Sequence, residues 1–276
     1  MDTVSRYLRV GCKKVEGWLQ PFSARYISEV AKVQNEFCKG AAAVEIGVHH
    51  GKLFILLHLA GSRKKDLAID VFEDQDLNID RSGCGDRRRF VEHLERWGGD
   101  LEKVSIWQKS SLTIAPEEII KEVGQVALFS VDGGHTRECA YNDLKLADAS
   151  LREDGVVILD DFFNESWPEV CVGSIDYFND AASRLKPFAL TPGKMYLCTP
   201  QWSNFYRENL RQRFATWEFD KEVEMFGSPV QLMGIAPLWL KYPAHTTAFG
   251  RAVRRAKEAM KASPIGPVLK RVLGKS

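Results

Sequence analysis

The chain has no excess of either charge: its 276 residues carry 38 Lys and Arg against 37 Asp and Glu, a formal net charge of +1. A protein built to neutralise phosphates along a nucleic acid needs a basic bias, so nucleic acid is not expected as a partner. Its six cysteines, Cys12, Cys38, Cys84, Cys139, Cys171 and Cys198, are scattered, with no CxxC pair. That scatter excludes a zinc framework or a disulfide-stapled mini-domain and reads as reduced thiols. Nothing approaches the roughly 18 uninterrupted apolar residues of a spanning helix. The segment Met1-Asp-Thr-Val-Ser-Arg-Tyr-Leu-Arg has no apolar signal-peptide core. The expected compartment is the cytoplasm. Internal repeats and low-complexity linkers are missing too, and the length suits one sizeable core.

What is present is strict alternation. After an N-terminal helical stretch, residues 1–40, broken at Pro21, short continuous apolar runs (Ala41–Ile46, Asp66–Phe72, Val104–Gln108, Val126–Val131 and one opening at Gly155) are separated by helical patterns: Leu53–Ala60, Asp86–Trp97, Pro116–Val123 and Cys139–Leu151. Apolar strands joined through helices mean a parallel sheet covered on both faces. Past Asp161 the pattern changes. Ser174–Leu185 reads as a helix, and Lys194–Cys198, Val223–Phe226 and Gln231–Ile235 read as strands, as though an antiparallel hairpin finishes the sheet. The domain expected is 41–240, with a C-terminal tail over 241–276.

Two strands end on acids. Ala127-Leu-Phe-Ser-Val-Asp-Gly-Gly-His135 and Val156-Val-Ile-Leu-Asp-Asp161 are apolar runs that stop on Asp132, His135, Asp160 and Asp161. Ligands of open α/β sheets bind outside the carboxyl ends of the strands, so these groups share one rim and suggest an enzyme for a small molecule. Earlier, Ala43-Val-Glu-Ile-Gly-Val-His-His-Gly51 is a strand, a glycine-bearing turn and a helix start. Its GxxxG spacing is not the GxGxxG of dinucleotide enzymes, but Asp70, ending the next strand, is placed to accept both hydroxyls of a ribose. The polar loop from Glu73 to Asp86 lies over this region and reads equally as a lid or a solvated loop. Asp143 reads as a residue of the exposed side of its helix. Asn164, Trp167 and Pro168 are placed to form a wall of an acceptor pocket, with packing the first reading of Trp167; His49 and His50 read as solvent-facing, with one facing the ligand as the alternative.

Together, Glu45-Ile-Gly-Val-His-His-Gly51, Asp70, Val131-Asp-Gly-Gly-His135, Asp143 and Asp160-Asp161 resemble the class I S-adenosylmethionine-dependent methyltransferases, in the branch of macrocin-type sugar O-methyltransferases and small "methyltransferase 24" domains. The resemblance covers about residues 22–200. It implies a Rossmann-like α/β fold: a seven-stranded, mostly parallel sheet with one antiparallel strand and helices on both faces. It implies S-adenosylmethionine as cofactor, with Glu45 and Gly47 along its methionine portion, Asp70 on the ribose, Ser110 and Ser111 by the adenine, and Gly51 and Asp132 as further cofactor-binding residues. It also implies a hydroxylated small-molecule acceptor, a sugar or glycan among the choices, and a Mg²⁺ site at Asp132, Asp160 and Asp161, a hard-oxygen donor set. His135 is the candidate base, with Asp132 and Asp160 as further catalytic candidates. The chain departs from the macrocin pattern at Gly134, where those enzymes often carry an acid, and at Lys52-Leu53-Phe54, where a small hydroxyl residue often opens the helix.

Other readings stay open. A hydroxylase on the same fold would hold iron through His135 and carboxylates, although only one histidine stands at the rim of the expected two. A non-catalytic cofactor-binding module is the other. Residues 250–276 carry eight Lys and Arg against the single acid Glu258, and Phe249, Val253, Ala256 and Met260 share one helical face. Such a helix suits peripheral contact with an anionic membrane or docking to a partner. Self-association as a homo-oligomer is also left open.

Overall fold

The computed structural model describes residues 2–38, 40–61, 65–215, 218–234 and 252. The basic segment 249–261 and the rest of the tail expectation lie outside these residues, Ala252 excepted.

Five strands alternate with helices in the order the apolar runs predict. They are β1 (Ala42–Ile46), β2 (Asp66–Asp70), β3 (Val104–Gln108), β4 (Val126–Val131) and β5 (Leu151–Asp160). The helices are α1 (Thr3–Arg6), α2 (Cys12–Lys14), α3 (Pro21–Phe37), α4 (Lys52–Ala60), α5 (Arg87–Arg96), α6 (Pro116–Val123), α7 (Arg137–Ser150), α8 (Pro168–Asn179) and α9 (Pro200–Arg211). The remaining strands are β6 (Lys186–Thr191), β7 (Lys194–Cys198), β8 (Phe219–Met225) and β9 (Ser228–Met233). Pro21, Pro116, Pro168 and Pro200 each open a helix, where a missing N–H costs nothing.

The sheet runs β3-β2-β1-β4-β5-β7-β6-β9-β8. It therefore has nine strands, not seven. β1 to β5 are mutually parallel, β7 is antiparallel to β5 and β6, and β8 is antiparallel to β9. Two strands run against the rest where one was expected, because the β8–β9 hairpin joins the same sheet through a short parallel pairing of β9 with β6. β6 and α9 carry no strong sequence pattern, and the expected helix at Ser174–Leu185 instead starts at Pro168 and ends at Asn179.

Every residue of β1 and β4 is buried, as continuous apolar strands with helices on both faces require. The N-terminal helices belong to this core: Tyr7, Tyr26, Ile27 and Val30 are buried with Phe54, Leu128 and Tyr196. Full burial of such side chains contributes roughly 1.5–3 kcal/mol each. One group of polar side chains inside is paired across elements. His58 of α4 meets Asp66 at 2.7 Å, Asp66 accepts the Ala43 N–H at 2.7 Å, and His58 Nε2 accepts the Asp100 N–H at 3.0 Å. This buried pair ties α4 to the starts of β1 and β2, so His58 is a structural histidine.

Candidate functional site

The strand order reverses between β1 and β4, which makes a crevice outside their carboxyl ends. A cleft of about 860 Å³ occupies that place, lined among others by Glu45, Gly47, Asp70, Ser111, Asp132 and His135. Gly47 is what lets the crevice form. Its φ is +86°, and a Cβ there would lie 1.6 Å from the Asp132 carbonyl oxygen. Any side chain would push apart the ends of β1 and β4, where Asp132 N–H donates to the Ile46 carbonyl at 3.0 Å. On the neighbouring strand, Asp70 accepts the N–H groups of His49 (2.7 Å) and Phe72 (2.5 Å). Its carboxylate is thus fixed across the glycine turn while lining the cleft. Burial raises the Asp70 pKa above the ordinary carboxylate value, and those N–H bonds oppose the rise.

The acids of β4 and β5 meet a cation that the sequence reading passed over. Lys194, the first residue of β7, stands opposite Asp160 in the antiparallel register. It is only 4% exposed. Its ammonium donates to Asp160 and, at 3.3 Å, to Asp132. Burial alone would lower the Lys194 pKa, but Asp132 and Asp160 reverse that and hold it charged, above the ordinary lysine value. Burial and the charge of Asp132 push the Asp160 carboxyl upward, and Lys194 pulls the other way. Below them Glu45 is fully buried, its Oε2 without a hydrogen-bond partner. Burial and Asp132 raise its pKa well above the usual carboxylate range. The available signal for Lys194 was a lysine heading an otherwise apolar strand straight after Pro192-Gly193; only the register shows what it faces.

His135 is clamped. Its Nδ1 lies 2.7 Å from Asp80 and 3.0 Å from the Ser82 hydroxyl, its Nε2 lies 3.3 Å from Asp161, and its backbone N–H also donates to Asp80. Burial would lower its pKa, but the bonds to Asp161 and Asp80 outweigh that and raise it above the ordinary histidine value. The Trp167 ring stacks on the imidazole at 4.3 Å, so this tryptophan is part of the site rather than mere packing. Asp80 belongs to the loop between β2 and α5, and Leu77, Asn78, Ile79 and Ser82 of that loop line the cleft. The loop is folded over the site, not solvated away from it. Asp161 adopts φ +60°, a left-handed conformation that Asp tolerates better than most residues, and Asn164 donates to its Oδ1 at 2.9 Å.

Among the described residues, Asp132, His135 and Asp161 bring donor atoms within 4.8 Å of one another. Asp160 is not in that group because its carboxylate is turned to Lys194. The expected Mg²⁺ donor set of Asp132, Asp160 and Asp161 therefore does not converge. Nor does the iron triad of two histidines and a carboxylate, since the group holds one histidine.

Other expectations are redistributed. Asp143 is not on an exposed helix face: it is 1% exposed and points its carboxylate beneath Gly133. Burial pushes its pKa up to about 6, only partly offset by hydrogen bonds from Ser111 and Asn142. His50 is buried as well, while His49 lines the cleft beside Trp18. Ser110 and Ser111 both line the cleft. Gly51 caps α4 at φ +87°. Lys52 lines the cleft and donates to the Gly17 carbonyl at 2.5 Å, which holds the N-terminal segment bearing Trp18, itself 79% exposed, as a wall of the cleft.

Comparison with known proteins agrees with this architecture. Residues 44–162 match the family described as a methyltransferase domain. The solved structure of the O-methyltransferase NovP aligns with a TM-score of 0.53 at 14% identity, covering 64% of this chain and 80% of that one. The apo structure of CalS11, described as a TDP-rhamnose 3'-O-methyltransferase, aligns with a TM-score of 0.49 at 14% identity over 71% of this chain and 92% of that one. MycE, a methyltransferase from the mycinamycin pathway solved with Mg and SAH, gives 0.49 at 14% identity over 72% and 55%. No curated protein matches by sequence.

Proposed function

We propose that residues 44–162, which match a methyltransferase-domain family, form a class I S-adenosylmethionine-dependent enzyme that transfers a methyl group to a hydroxyl of a small molecule, a sugar or another polyhydroxylated or phenolic acceptor. The observation that carries this reading is the cleft at the β1/β4 reversal, with Asp70 on one side and Asp132, His135 and Asp161 on the other. When bound, S-adenosylmethionine supplies an electrophilic methyl on a sulfonium. The residues present suit it. Glu45 offers a buried oxygen without a partner for an ammonium, Gly47 and Gly51 leave room along the turn, Asp70 offers acceptors for ribose hydroxyls, and Ser110 and Ser111 border the adenine side.

The protein's share of the chemistry is then alignment and a proton sink. The acceptor hydroxyl lies between Asp132 and His135. As the oxygen takes the methyl, its proton passes to Nε2 of neutral His135, whose Nδ1–H is held by Asp80. A base fixed through its second nitrogen by a carboxylate keeps the needed tautomer and ring orientation. Asp160 does not touch the acceptor in this scheme: it is a positioning residue acting through Lys194. Trp18, Ile79 and Trp167 give the acceptor's body apolar faces. Because the Mg²⁺ set does not converge, no step is routed through a metal.

Incubation with methyl-labelled S-adenosylmethionine and a panel of sugar and phenolic acceptors tests the reading. Label on an acceptor oxygen, lost in His135→Asn, is the expected result; label found only on nitrogen or carbon nucleophiles contradicts O-methylation.

A further inference from the structure

We propose that the Lys194 ammonium is a resident cation that replaces a divalent metal between the acids of β4 and β5, so that this enzyme works without one. The inference rests on the methyltransferase reading above for what the site does, but its evidence is independent of that reading. First, Lys194 is placed by the fold and not by chance rotation: the Asp160–Lys194 pair is an antiparallel cross-strand partnership of β5 with β7. Cross-strand neighbours of opposite charge on one face are within direct reach. Second, the ammonium is anchored by two carboxylates. It is 4% exposed and hydrogen-bonds both Asp132 and Asp160.

Third, what remains for a metal is poor. Mg²⁺ demands nearly octahedral oxygen ligands at about 2.0–2.1 Å and keeps several waters. With Asp160 withdrawn, the converging group is Asp132, His135 and Asp161. Asp132 already accepts from Lys194 at 3.3 Å, and both ring nitrogens of His135 face carboxylates, Asp80 at 2.7 Å and Asp161 at 3.3 Å. A dication there would share Asp132 with the ammonium and be repelled by it.

The exchange has a consequence for the acceptor. An ammonium neutralises the acids and donates hydrogen bonds, but it cannot chelate two acceptor oxygens or acidify a bound hydroxyl as a metal does. Acceptors therefore need one hydroxyl, not a vicinal pair, and the proton must leave to a side chain.

Calorimetric titration of the whole protein with Mn²⁺, without cofactor or acceptor, tests this. The wild type is expected to show no saturable binding at the site. Lys194→Ala, with Asp132 and Asp160 left free, is expected to gain Mn²⁺ affinity by about tenfold or more, and adding Asp160→Asn should remove the gain. Lys194→Gln serves the same purpose where Lys194→Ala does not fold, since it keeps side-chain bulk. Saturable Mn²⁺ binding by the wild type that Asp132→Asn abolishes overturns the proposal, as does a folded Lys194 variant with no gain. Binding of S-adenosylmethionine is measured separately, so failure of the metal inference and failure of the methyltransferase reading are distinguishable.

Discussion

Lys194 lies directly across the β5–β7 pair from Asp160 and donates to its carboxylate. The pairing puts a buried cation at the point where two parallel strands deliver their acids. Removing one partner of such a buried group leaves an uncompensated charge, which costs on the order of 3–5 kcal/mol. Lys194→Met should lower the urea-unfolding free energy by that order, and the double variant Lys194→Met/Asp160→Asn should recover part of it. A loss below about 1 kcal/mol for Lys194→Met would show the pair to be energetically equivalent to a surface bridge.

Asp143 gives a prediction whose sign is opposite to the usual carboxylate case. Its folded pKa of about 6 exceeds the ordinary 3.8, so the folded state binds the proton more tightly and stability falls as pH rises between those values. At neutral pH the buried charge costs on the order of 1–3 kcal/mol. Asp143→Asn is thus expected to raise the melting temperature at pH 7 and to leave it unchanged near pH 4. Equal effects at both pH values would mean that the charge is not the cause.

His135 sets a pH window for the loop above it. Its pKa is raised, so the stability it contributes is present below the ordinary value of 6.5 and is lost as pH rises through the higher folded value. Over that window the Asp80–His135 bond weakens, and amide exchange in residues 73–86 should quicken. Methyl transfer should rise over the same window, because the neutral imidazole is the base. Asp80→Asn should move the His135 NMR titration to lower pH; an unmoved titration would remove Asp80 from the account.

The parts of this site that the sequence made legible are those fixed by local pattern. Apolar runs ending on Asp70, Asp132 and Asp160 predict strands whose ends share a rim, since an open parallel sheet has one ligand-binding edge. The pairings that decide chemistry were not legible, because they come from register and from loop folding. Lys194 reaches Asp160 only because β7 runs antiparallel to β5 at that alignment. Asp80 reaches His135 across a long separation in sequence through an irregular loop. Asp143 reads as an exposed helix residue because α7 has acids and amides on several faces, and its burial follows from packing below Gly133. The β8–β9 hairpin was read as strands, but nothing local says that β9 pairs with β6 to extend the sheet.

The proposed function requires that the crevice outside β1 and β4 bind S-adenosylmethionine with Asp70 on its ribose. Isothermal titration of S-adenosylmethionine into the wild type and Asp70→Ala tests it most directly. Loss of two charge-assisted hydrogen bonds of about 1.5–3 kcal/mol each should weaken binding by at least about a hundredfold while Asp70→Ala stays folded. Absence of binding to the wild type, or equal affinity in the variant, would contradict the account.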